Sequence, residues 1–86
     1  MNDKVDIKKC LRVFNTIMSR GKRNEDEHIF NGLHTRVGFD GYTISIFNNY
    51  VTLTIFFHNK FNFEYTNRKE RLLFLEKINT IDAMTI

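Results

Sequence analysis

Apolar side chains recur every three or four positions at the start of the chain. Ile7, Cys10, Leu11, Phe14, Ile17 and Met18 mark one stripe of an amphipathic helix. Asn2 or Asp3 is placed to cap its start, and Asp6 adds negative charge near the positive end of the helix dipole. Gly21 offers the left-handed residue that commonly stops a helix. Residues 21–27, Gly-Lys-Arg-Asn-Glu-Asp-Glu, hold no apolar side chain and read as polar loop.

The period then drops to two, the signature of strands. His28–Phe30 and Leu33–Val37 alternate on either side of Asn31-Gly32, a favoured two-residue hairpin turn. Gly38–Gly41 makes a second turn, carrying Asp40. Tyr42–Phe47 and Tyr50–Phe57 are the clearest strands, joined at Asn48-Asn49, which sets Ile46 opposite Val51, Ile44 opposite Leu53 and Tyr42 opposite Ile55. Phe61, Phe63 and Tyr65 alternate in a last strand. A two-residue loop at Asn59-Lys60 would turn these rings away from the core. A three-residue loop, His58-Asn59-Lys60, pairs Phe61 with Phe57, Phe63 with Ile55 and Tyr65 with Leu53. The second register is preferred, because burying each large side chain is worth about 1.5–3 kcal/mol and a one-residue slip flips a whole strand.

A second helix begins near Asn67-x-x-Glu70, a capping arrangement. Leu72, Leu75, Ile78 and Ile81 supply its inward stripe, with Phe74 on the flank. The expected fold is therefore α+β, one domain over residues 1–86. An antiparallel sheet of about four strands, with room for one further short strand, carries both helices on one face in the order α-β-β-β-β-α. Its core face holds Tyr42, Ile44, Ile46, Val51, Leu53, Ile55, Phe57 and the three rings of the last strand.

Composition agrees with a packed domain. At 86 residues the chain must bury its surface efficiently, and 42% hydrophobic residues with nine Phe supply the means. The single cysteine, Cys10, forms no internal disulfide and points to a reduced, cytoplasmic protein. The N-terminus lacks the apolar core of a signal peptide, and no run approaches a membrane span. A net charge of +3 names no partner.

Chemistry is thinly supported. His28, His34, His58, Cys10, Asp40 and Tyr42 are the candidates for catalysis, yet no nucleophile, base and orienting group assemble from them. The expectation is a protein that is not an enzyme, with no cofactor and no metal, since the histidines lack ligand spacing. Two surfaces stand out instead. Lys4, Lys8 and Arg12 follow one another at i+4 on one helix flank with Lys9 beside them, a candidate set of phosphate contacts or simply a solvated face. The outer sheet face presents Phe47, Tyr50, Phe56 and His58, with Phe47 and Tyr50 as a cross-strand pair.

Phe39-Asp40-Gly41-Tyr42-Thr43 and Phe56-Phe57-His58-Asn59-Lys60, with Cys10–Phe14 and Gly32-Leu33, carry a resemblance over nearly the whole chain. It resembles a family of short gammaproteobacterial proteins known only as a domain of unknown function. The resemblance implies a bacterial, cytoplasmic protein and implies no activity.

The leading expectation is a protein–protein interaction module, a homodimer through the outer sheet face or an edge strand. The alternative is weak nucleic-acid binding by the basic flank of the first helix.

Overall fold

The computed structural model describes residues 6–56 and 60–84. Helix α1 (Ile7–Arg20) is followed by strands β1 (Lys22–Asn24), β2 (Glu27–Phe30), β3 (Leu33–Val37), β4 (Ile44–Phe47), β5 (Val51–Phe56) and β6 (Lys60–Tyr65), and then by helix α2 (Arg68–Ala83). The strands form one antiparallel meander in chain order. Helix α1 packs on β2 and β3, α2 packs on β5 and β6, and the helices touch each other. The two-layer α+β architecture is the expected one.

The sheet has six strands rather than about four. The stretch read as polar loop contributes β1, all of whose residues are exposed. An edge strand that buries nothing has no apolar alternation to betray it. Glu25, at φ 58°, closes the turn to β2.

Asp6 is the cap of α1, its carboxylate accepting from the Lys9 N–H at 3.1 Å. The expected caps, Asn2 and Asp3, lie outside the described residues. Gly21 is not left-handed; its φ and ψ are −73° and 160°. Its role is close approach, because a Cβ there would sit 2.4 Å from the Ile17 carbonyl and 2.9 Å from that of Ile29. Glycine lets the end of the helix lie against β2.

The core is continuous from α1 (Cys10, Val13, Phe14, Ile17) through the sheet (Leu33, Ile46, Val51, Leu53, Ile55) to α2 (Phe74, Ile78, Ile81). In α2 the stripe is rotated from the expected one. Phe74 is fully buried and Leu72 is half exposed. The set Phe74, Ile78 and Ile81 puts the largest ring inside, which outweighs Leu72. Asn67 caps the helix as expected, accepting from the Glu70 N–H at 2.9 Å.

Both main hairpins keep the expected faces but shift by two residues. Ile46 pairs with Leu53 and Ile44 with Ile55. The loop residues are Asn49 and Tyr50, because the Asn48 side chain accepts from the N–H groups of Tyr50 and Val51 at 2.8 and 2.9 Å. That side-chain turn competes with the simple two-residue choice. Tyr42 leaves the core, lying exposed in the turn before β4. In the last hairpin Phe61 pairs with Ile55, Phe63 with Leu53 and Tyr65 with Val51. The three rings are on the helix side, but only Phe63 packs against the core; Phe61 and Tyr65, on the last strand, stay exposed. The intervening residues, Phe57, His58 and Asn59, lie outside the described set.

Candidate interaction surfaces

Neither helix covers the second face of the sheet. One row crosses it through all six strands: Lys22, Ile29, His34, Phe47, Thr52 and Glu64. Around the middle of that row the side chains form a network. The Glu27 carboxylate meets His34 Nδ1 at 2.9 Å and also bonds Arg36. The His34 ring stacks on Phe47 with centroids 5.2 Å apart, and the Arg36 guanidinium lies 5.4 Å from the centre of the same ring. The bonds from His34 and then Arg36 hold the Glu27 carboxyl below its usual range. The Asn31-Gly32 turn is what places Glu27 opposite Arg36. A shallow groove lined by Lys22, Arg23, Asn24 and Ile29 lies alongside.

The expected aromatic patch does not assemble on this face. Phe47 pairs with Thr52, not Tyr50, since Tyr50 belongs to the turn. Phe56 is exposed but sits four residues further along β5. His58 lies outside the described residues.

The basic flank of α1 is largely turned toward α2. Lys9 Nζ donates to Asn79 Oδ1 at 2.7 Å. Arg12 donates to both oxygens of Asp82, at 2.9 and 3.0 Å, a bidentate pair. Arg12 holds the Asp82 carboxyl below its usual range. Lys8 is exposed, and Lys4 lies outside the described residues.

Among the described candidates for catalysis, only Asp40 and Tyr42 are in contact, and that contact is a turn hydrogen bond; His58 lies outside the described residues. Cys10 is buried, and desolvation, aided by the charge of Asp6, pushes its thiol up from 9.0 to about 11. A neutral thiol is a poor nucleophile. Asp40 caps its own turn, accepting from the N–H groups of Tyr42 and Thr43 at 2.9 and 3.0 Å and from the Thr43 hydroxyl at 2.9 Å. These bonds lower its pKa. The His28 carbonyl accepts from the buried Thr35 hydroxyl at 3.4 Å. Among the described residues no three His, Cys, Asp or Glu side chains group as metal ligands. No described helix is long and apolar enough to cross a membrane.

Among the described residues nothing pairs with the outer edge of β6, a surface that no local sequence pattern marks. The Thr66 N–H donates to the Tyr50 carbonyl at 3.0 Å, and Tyr65 pairs with Val51. In an antiparallel ladder, hydrogen-bonded residues alternate. The even-numbered residues of β6 therefore spend their main-chain groups on β5, and Phe61, Phe63 and Tyr65 point theirs outward. Phe63 is anchored against Phe74, centroids 6.0 Å apart, whereas Phe61 and Tyr65 are 37% and 41% exposed. Arg71 lies 5.7 Å from the centre of the Tyr65 ring.

A family model described as a protein of unknown function (DUF3081) matches residues 5–85. No curated protein and no solved structure matches the chain.

Proposed function

The chain belongs to the DUF3081 family, proteins of unknown function, and we propose its role from the geometry of its surface: it is a non-enzymatic protein–protein interaction module that docks a partner strand on the edge of β6. The observation that carries this reading is the open edge itself. Six residues long, β6 presents outward main-chain groups flanked by the half-exposed rings of Phe61 and Tyr65. Folded proteins commonly blunt such edges with proline, bulges, very short strands or charged side chains, and of these β6 has only the charges of Lys60 and Glu64. The chain has no proline, and no residue of β6 has a positive φ. Strand addition uses these features: main-chain bonds supply affinity, and side chains on alternating faces supply selectivity. Nucleic-acid binding by Lys4, Lys8, Lys9 and Arg12 is the weaker reading, because Lys9 and Arg12 already bond α2.

Affinity capture from a lysate of native cells, with and without nuclease, compares the wild type with Phe61→Pro. Proline at 61 removes an outward N–H and leaves the ladder to β5 its donors. A partner that resists nuclease and is lost with the variant supports the reading. Capture that the variant retains overturns it, and capture that nuclease abolishes favours the nucleic-acid alternative.

A further inference from the structure

We propose that the strand docked on β6 is β6 of a second copy of this chain, antiparallel to the first about a two-fold axis through Asn62. This rests on the edge-docking reading and names its partner. The order Lys60-Phe61-Asn62-Phe63-Glu64 reads the same in both directions, with opposite charges at its ends. A two-fold interface requires that kind of self-complementarity, residue i meeting j while j meets i.

With Asn62 opposite Asn62 of the partner subunit, Phe61 faces Phe63 of the partner subunit and Lys60 faces Glu64 of the partner subunit. By symmetry the aromatic and the charged contacts each occur twice, and the asparagine contact on the axis once. The outward main-chain groups of Phe61 and Phe63 then become a hydrogen-bonded pair, and Asn62 falls at the closer, non-bonded position. Facing parity is kept. The even-numbered side chains of both copies lie on the uncovered face, and the aromatic ones lie on the helix side. Two six-stranded sheets join into one of twelve, with all four helices on one side. The added apolar contact falls on Phe61, a half-exposed ring. A seam of one strand pair is small, so the association is weak and concentration-dependent.

The test exchanges the charges. Lys60→Glu sets a glutamate against Glu64 of the partner subunit twice, and Glu64→Lys sets lysine against lysine twice. Like charges directly opposite each other destabilise a strand pair. A mixture of the two variants restores both ion pairs in a heterodimer. Sedimentation velocity over a concentration series is expected to show a wild-type dimer. Each variant alone weakens it about tenfold or more, and the equimolar mixture recovers it. Recovery in the mixture also excludes misfolding as the cause of the loss.

A wild type that stays monomeric throughout overturns the inference. Capture of another protein that depends on the β6 edge would then leave the docking reading standing, and capture indifferent to Phe61→Pro would remove that too. A wild-type dimer insensitive to both charge changes overturns the β6 pairing and moves the contact elsewhere.

Discussion

Cys10 and Asp40 carry two of the altered acidities in the molecule, and they act in opposite directions. The Cys10 thiol is raised from 9.0 to about 11 in the fold. Between those values the unfolded chain has lost its thiol proton while the folded one keeps it, so stability falls as pH rises through that window. Cys10→Ala is expected to flatten this alkaline slope in chemical denaturation. The same burial predicts that a thiol-specific disulfide reagent at neutral pH reacts only once the protein is unfolded. Asp40 is the reverse case. Its carboxylate is held ionised by the N–H of Tyr42, then by the N–H and hydroxyl of Thr43. Its contribution is present above the unfolded value of about 4 and is lost as pH falls below it. Asp40→Asn is expected to shrink the loss of stability as pH falls below the ordinary carboxylate value, measured by urea denaturation over an acidic pH series.

The rotation of α2 is the most direct test at the scale of elements. Phe74 is fully buried and Leu72 is 50% exposed. Phe74→Ala should cost about 3–5 kcal/mol and Leu72→Ala less than about 1 kcal/mol. Equal costs in equilibrium unfolding would contradict the observed orientation. The leucines at 72 and 75 suggested the other stripe because hydrophobic spacing at 72, 75, 78 and 81 is as regular as that at 74, 78 and 81. Periodicity alone does not weigh a phenylalanine above a leucine. The hairpins teach a related lesson. Face parity was legible, since one slip would turn Phe61, Phe63 and Tyr65 away from the helix side. Register to within two residues was not, because Asn48 captures two N–H groups with its side chain. Strand β1 was illegible for want of any apolar residue, whereas the Glu27–Arg36 contact follows directly from the Asn31-Gly32 turn.

At the scale of the whole molecule, the helices occupy one face, and among the described residues nothing pairs with either sheet edge. The candidate surface could be read only after the strand order was known, since β6 alternates like any interior strand. The meander also bears on how the chain folds. Each strand bonds its neighbours in sequence, so sheet formation closes only short loops. The bidentate contact of Arg12 with Asp82 spans 70 residues. A contact of that separation, like the Lys9–Asn79 bond beside it, carries a large loop-closure cost and is expected to form late. Loss of a contact made after the transition state changes the unfolding rate and spares the folding rate. Arg12→Ala is therefore expected to raise the unfolding limb of the chevron and leave the refolding limb near its wild-type position, as stopped-flow kinetics can measure. The clamp between the first and last helices would then act as a weak kinetic latch, lengthening the life of the native state modestly without changing how fast it forms.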